Sequence, residues 1–205
     1  MPSMPATPVP LLLLAAGRSS RMRGRDKLAE VVEGEPLLRR IARHCIEAGA
    51  EVHVALPDAD HPRRRLLEGL SVTPLFLPAS AEGMGGTLRA GVAALPPAAQ
   101  IAVLPADLPE LLPDDIRYVL QAPAIAPQAL IWRGTSQDGR PGHPVLFDAS
   151  LRPQFQELRG DEGAAAIVRA QHDRLYLLPL PEERAIRDLD TPEAWAQWRQ
   201  TSGNG

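Results

Sequence analysis

Four leucines from Leu11 to Leu14 and two alanines, Ala15 and Ala16, run without interruption into Gly17, and a polar loop of glycine, serine and arginine follows as far as Lys27. No other stretch limits the possible folds as strongly. An apolar run of this length ended by glycine reads as a short buried strand. A Gly/Ser/Arg loop leaving the end of such a strand lays backbone N–H groups and cations where they can line a polyphosphate. Lys27 sharpens the reading. It is the single lysine among 22 lysines and arginines, so a chain that otherwise uses arginine keeps its one compact, rotatable ammonium beside this loop. An ammonium acts on phosphate as a point charge, a role that arginine's planar fork fills poorly.

The length of 205 residues suits one domain, or a domain with a small appendage, and 44% hydrophobic content is enough for a full core. Residues 9–201 are read as that domain, and residues 1–8, with three prolines, as a disordered lead-in. A net charge of −3 gives no electrostatic case for a nucleic-acid partner, and 4% aromatic content leaves few platforms for stacking bases. The lone cysteine, Cys45, excludes an internal disulfide and any cysteine-based zinc site. It shares an apolar helical face with Leu38, Ile41 and Ala48 and is read as core. The run 11–16 has no basic residue before it and is too short to span a bilayer, so it is neither a leader nor a membrane segment. A cytoplasmic location with no membrane partner is expected.

Further strands are expected at 51–56, 73–77, 100–104, 128–132, 143–147 and 175–178. Helices are expected at 36–47, 61–70, 83–95, 114–121, 148–158 and 160–170, with a last one carrying Trp195 and Trp198. The run Arg63, Arg64 and Arg65 is read as a solvated helical face. Strands alternating with helices predict an α/β fold with a doubly wound, mostly parallel sheet, whose motifs gather at its carboxyl edge.

Several of those motifs carry chemistry. Gly83, Gly85, Gly86 and Thr87 stand at a helix start, where free N–H groups can meet an anion or a base edge, or where Thr87 simply caps a loop. Asp107, between Pro105 and Pro109, follows a strand and suits a divalent cation, or else simply forms a turn. His143 leaves a Gly/Pro turn, and Gly160 to Gly163 open another helix. Asp188 and Asp190 end a strand; Asp190 or Thr191 can cap the last helix, which leaves Asp188 freer. The phosphate loop G-x-x-x-x-G-K-[ST], the dinucleotide fingerprint and the G-x-S-x-G elbow are all absent.

The sequence Leu14-Ala15-Ala16-Gly17-Arg18-Ser19-Ser20-Arg21-Met22 with Lys27 resembles the signature of sugar-nucleotide-type nucleotidyltransferases. With Gly83-Met84, Leu88 to Gly91, Ala106 to Pro109, Gly142 to Phe147, Gly160 to Ala164 and Asp188 to Glu193, the set resembles the molybdenum cofactor nucleotidyltransferases, nearest their cytidylyltransferase branch. The resemblance spans about residues 10–198. It implies a Rossmann-like nucleotidyltransferase fold in a single domain and transfer of CMP from CTP to the terminal phosphate of molybdenum-bound molybdopterin. It further implies that Arg21 and Lys27 neutralise phosphates and that the backbone of 15–19, with Leu14, Gly83, Met84 and Thr87, lines the nucleotide. Asp107 would hold Mg²⁺ (or Mn²⁺), with Asp188 or else Asp190 as second ligand. His143, Gly160, Asp161 and Gly163 would face the pterin acceptor, and a client molybdoenzyme or its chaperone would be a partner. In this family Leu-Ala-Gly-Gly accompanies GTP and Leu-Ala-Ala-Gly accompanies CTP, so Ala16 implies CTP. Two positions depart from the family pattern: the spacing from Met22 to Lys27 is longer, and Ala165 stands where arginine is common, with Arg169 one turn on. Nucleotidyl transfer to another acceptor, a sugar phosphate or methylerythritol phosphate, is one alternative, and a non-catalytic carrier of the cofactor is another.

Overall fold

The computed structural model describes residues 8–202, so most of the expected lead-in lies outside the described residues. The chain enters β1 (Pro10–Leu14), makes a small ribbon of β2 (Val31–Val32) and β3 (Glu35–Pro36), and continues into α1 (Leu37–Glu47). Next come β4 (Glu51–Leu56), the single turn α2 (Arg63–Leu66), β5 (Val72–Phe76), α3 (Met84–Ala94) and β6 (Gln100–Pro105). Helices α4 (Pro113–Leu120) and α5 (Ala122–Ile125) lead to β7 (Ile131–Thr135) and β8 (Pro141–Asp148). The chain closes with α6 (Arg152–Phe155), α7 (Ala165–Ala170), β9 (Leu175–Pro179) and α8 (Pro192–Ser202).

Seven strands form one sheet in the order β5-β4-β1-β6-β8-β7-β9. Only β8 runs antiparallel to its neighbours, β6 and β7; the other pairings are parallel. The fold is thus the doubly wound, mostly parallel α/β sheet that the alternation of elements predicts. Its leucine-rich centre is β1. Leu11 and Leu13 pack with Leu38, Ile41 and Trp195 on one face, while Leu12 packs with Leu88, Val92 and Phe155 on the other. Full burial of each leucine contributes about 1.5–3 kcal/mol, and strands covered on both faces read as continuous apolar runs. Helix α3 lies close against β1: a Cβ at Gly91 would stand 2.6 Å from Leu12 Cδ2. Cys45 is fully buried in the α1 face, and burial pushes its thiol pKa up.

Several element boundaries differ from the sequence reading. The first strand stops at Leu14, and the helix expected over 61–70 is a single turn, Arg63–Leu66. Of 148–158 only Arg152–Phe155 is α-helical, and α7 starts at Ala165 rather than at the Gly160 loop. Among the described residues no helix is long and apolar enough to cross a membrane.

Candidate active site

The parallel strands bring their carboxyl ends, and the loops that follow, to one edge of the sheet. The loop after β1 leaves between β4 and β6, because Ala15 N–H donates to Ala55 O (3.1 Å) and Ala106 N–H donates to Leu14 O (3.1 Å). The N–H groups of Ala16, Gly17 and Arg18 have no partner among the described residues, and all three residues line a cleft of about 490 Å³. Ala15 differs from expectation. It is buried, its N–H is taken by Ala55 and its carbonyl accepts from Arg63, so its backbone is engaged with the protein and does not line the cleft.

Arg63 shapes this loop and overturns the reading of 63–65 as a solvated face. Its side chain is 3% exposed, whereas Arg64 and Arg65 stay outside. The single turn α2 points its first arginine under the loop. There the guanidinium donates to Ala15 O (2.5 Å), Gly17 O (2.7 Å), Ser19 Oγ (3.1 Å) and both carboxylate oxygens of Asp26 (2.7 Å each). Burial alone would raise the Asp26 carboxyl, but the fork from Arg63 and the N–H of Leu28 hold it below its ordinary value. Ser19 sits in the left-handed region (φ 50°), and its hydroxyl is turned to Asp26 rather than to the cleft. The longer path from Met22 to Lys27 is taken up by left-handed Arg23 (φ 52°) and Gly24 (φ 84°).

Lys27 is thereby aimed across the sheet edge at carboxylates from two distant segments. Its ammonium donates to Asp107 Oδ2 (2.5 Å) and Asp190 Oδ1 (2.6 Å). Burial works against its charge, but the two carboxylates outweigh it and raise the lysine pKa. Arg21, 70% exposed, pairs with the other oxygen of Asp190 (2.6 Å). Asp188 is the third acid: it, Asp107 and Asp190 offer ligand atoms all within 4.8 Å of one another. Burial, then the charges of Asp190 and Asp107, push the Asp188 carboxyl above its ordinary value. Three hard oxygen donors so close fit a hard divalent cation such as Mg²⁺ or Mn²⁺. Thr191, not Asp190, caps α8, its hydroxyl accepting from Ala194 N–H (3.2 Å).

Leu14, Ala16, Gly17, Arg18, Lys27, Gly83, Met84, Thr87, Asp107 and Asp161 line the one cleft. The glycines at the start of α3 are there for close approach. A Cβ on Gly85 would meet the backbone of Arg159 at 2.8 Å, one on Gly86 the Ala79 carbonyl at 2.1 Å, and one on Gly83 the Asp161 carboxylate at 2.3 Å. Gly85 N–H donates to Gly160 O (2.8 Å), which fastens the 160–163 loop to α3. Of the four residues expected to face an acceptor, Asp161 falls in the cleft and Gly160 in this hinge. His143 and Gly163 line a second, mainly apolar cavity of about 210 Å³, beside the first and sharing Leu14, Met84 and Pro105 with it. Arg169 is exposed and lines neither cavity, but Arg133 on β7 reaches the second one. Sequence reasoning missed both Arg63 and Arg133.

A model of the MobA-like NTP transferase domain matches residues 11–175. The chain is 37% identical over 178 residues to the molybdenum cofactor guanylyltransferase of Bradyrhizobium sp. (strain ORS 278), covering 82% of this chain and 80% of that protein. It is 26% identical over 200 residues to the purine catabolism protein PucB of Bacillus subtilis (strain 168), covering 92% and 95% respectively. Its fold matches that of Rv0371c from Mycobacterium tuberculosis H37Rv with a TM-score of 0.78 at 22% identity, over 95% of this chain and 99% of that one.

Proposed function

The chain belongs to the MobA-like NTP transferase family and is a nucleotidyltransferase, and on that footing we propose that it transfers CMP from CTP to the terminal phosphate of molybdenum-bound molybdopterin, releasing pyrophosphate. The observation that carries the reading is the pairing of the only lysine, Lys27, with Asp107 and Asp190 at the mouth of a cleft lined by free backbone N–H groups.

The acceptor phosphate oxygen attacks the α-phosphorus in line, and pyrophosphate leaves on the opposite side. The chain's task is to position and to neutralise. The N–H groups of Ala16, Gly17 and Arg18 receive phosphate oxygens, with Ser19 supporting the loop from behind. Gly83, Met84 and Thr87 border the base and ribose with Leu14. Lys27 leaves its carboxylates to meet the charge that builds on the α-phosphate, and Arg21 meets the departing pyrophosphate. Asp107, with Asp188 and Asp190, would hold Mg²⁺ or Mn²⁺, which supplies charge neutralisation along the triphosphate. Asp188 is the better second ligand, since no cation is paired with it. The preference for CTP rests on the Ala16 methyl group at the cleft wall, which leaves room for a pyrimidine and crowds a purine. The product would pass to a client molybdoenzyme.

The test is pyrophosphate release by purified protein with Mg²⁺ and molybdenum-loaded molybdopterin, comparing CTP, GTP, ATP and UTP. Release with CTP alone, abolished by Asp107→Ala, is expected. Release with GTP instead would overturn the base assignment. Silence with all four would overturn the acceptor, and full activity of Asp107→Ala would overturn the site.

A further inference from the structure

The acid cluster is assembled from two loops far apart in the chain, 106–112 after β6 and 180–191 before α8, so its geometry depends on what holds those loops together. At the cleft Lys27 spans them, but on the proposed function that ammonium turns to phosphate when nucleotide binds. Behind the cluster a second link crosses the same gap. Glu110, three residues on from Asp107, forms an ion pair with Arg187, the residue before Asp188 (Glu110 Oε2 to Arg187 Nε, 2.9 Å). Both atoms are buried with no hydrogen-bond partner among the described residues, so each is compensated by the other's charge. The last helix grips both loops as well. Trp198 Nε1 donates to Glu110 Oε1 (2.8 Å), and Trp195 Nε1 donates to the carbonyl of Leu189, between the two acids (3.0 Å). The two buried indoles meet edge to face with centroids 5.8 Å apart, so both grips belong to one packed unit.

Three carboxylates within 4.8 Å of one another repel, and a cluster of that kind needs a brace outside itself to stay assembled. Neither Glu110 nor Arg187 lines the nucleotide cleft, so whatever they do for the site passes through the backbone of the two loops. We propose that Glu110 and Arg187 are positioning residues: their bridge fixes the separation of Asp107 from Asp188 and Asp190, and thereby sets the affinity of the cluster for its divalent cation. The inference rests on the reading of the three acids as the metal site of the proposed transfer. Its sign sets it apart from a simple effect of charge. By charge alone, loss of the Glu110 carboxylate weakens cation binding and loss of the Arg187 guanidinium strengthens it. A brace predicts that either loss weakens binding, because either one lets the loops part. Glu183 also pairs with Arg187 (2.6 Å), but it is 38% exposed and belongs to the same loop, so it joins nothing to Asp107.

The experiment titrates Mn²⁺ without nucleotide into wild-type protein, Glu110→Gln, Arg187→Met, the double variant and Glu183→Gln, read by electron paramagnetic resonance well below each Tm. Pyrophosphate release is assayed on the same proteins. Glu110→Gln keeps an acceptor for Trp198 and loses only the charge that meets Arg187. Each single variant is expected to weaken Mn²⁺ binding about tenfold, the low end of what partners beyond the ligands themselves contribute to metal affinity. The double variant is expected to lose no more than either single one, since both act through one bridge, and Glu183→Gln to bind as wild type does. Unchanged affinity in Glu110→Gln overturns the inference, as do shifts of opposite sign in the two single variants or an equal loss in Glu183→Gln. Absence of Mn²⁺ binding to the wild-type protein overturns it as well. If Glu110→Gln or Arg187→Met does not fold, Glu110→Asp decides, because it keeps the charge and shortens the reach by one methylene: weaker Mn²⁺ binding supports the inference and unchanged binding refutes it. Transfer of CMP by a protein whose Mn²⁺ affinity ignores the bridge overturns the inference and leaves the proposed function standing. Affinity that depends on the bridge, without pyrophosphate release from any nucleotide, upholds the inference and overturns the proposed transfer.

Discussion

Replacing Arg63 with methionine removes the clamp beneath the β1 loop while keeping an apolar stem of similar length. The variant leaves Asp26 without its forked partner and frees the carbonyl of buried Ala15 and that of Gly17. Breaking a buried ion pair by deleting one member costs about 3–5 kcal/mol. Because Asp26 is 30% exposed and water can reach part of it, the lower end applies, about 3 kcal/mol. For a domain of this size that corresponds to a fall in Tm of roughly 6–12 °C. The loop carries both Lys27 and the free N–H groups, and a shift of about 1 Å in a catalytic group can cost about 10²-fold in rate. Thermal melts and pyrophosphate release read the two effects. The double variant Arg63→Met/Asp26→Asn removes the stranded charge, so it recovers part of the Tm but none of the lost activity, since the loop is still unclamped. A Tm within 2 °C of wild type, with activity intact, would refute the reasoning.

Three further outcomes follow from the same geometry. Ala16→Gly removes the methyl group at the cleft wall and is expected to shift the CTP-to-GTP ratio of kcat/KM toward GTP by about 10–200-fold, the range for a methylene-sized difference; an unchanged ratio would place base choice elsewhere. Lys27→Met takes the ammonium out of the acid cluster, so turnover falls on the order of 10²-fold or more, while Mn²⁺ affinity without nucleotide, read by electron paramagnetic resonance, rises at least tenfold; unchanged affinity would mean the lysine does not compete for those carboxylates. His143 has its folded pKa depressed to about 4, so between pH 6.5 and 4 the unfolded chain binds a proton that the folded chain refuses. Stability in urea titrations is therefore expected to decline by roughly 2–3 kcal/mol over that window, and His143→Asn flattens the slope; an equal slope in the variant would show that other groups carry it.

The sequence made the sheet and the order of its motifs legible because the most telling of them sit where a β-strand must end. The apolar run before Gly17 and the Pro105-to-Pro109 segment around Asp107 announce both position and chemistry. Arg63 was hidden for a physical reason. Three arginines in a row look solvated, and only the register of a single helical turn decides which one goes inward. Arg133 has no local signature at all, since one arginine in a five-residue strand becomes meaningful only when Leu88, Val145 and Phe147 close around it. The antiparallel setting of β8 was available in principle. The link between β7 and β8, residues 136–140, is too short for a crossover and can join only antiparallel neighbours.

That reversal gives the sheet edge its two-sided character. In a wholly parallel sheet the start of β8 would lie at the opposite edge, and His143 would be far from Asp107. Running antiparallel, β8 brings its first residues up to the carboxyl end of β6, with Val145 opposite Val103. One edge therefore carries an acid cluster and free N–H groups on the β1 side and an apolar cavity on the β8 side. The two ask for opposite things. The cleft offers backbone donors and a cation, which suit a charged chain of phosphates; the cavity offers apolar walls with few polar groups. Lys27 spans the difference in charge, since its ammonium offsets carboxylates that would otherwise repel one another and any approaching phosphate. Without nucleotide that pairing holds the cluster together. On the proposed function, bound nucleotide would give the same lysine a stronger anion within reach, and the carboxylates it released would be free to serve as oxygen donors for a divalent cation.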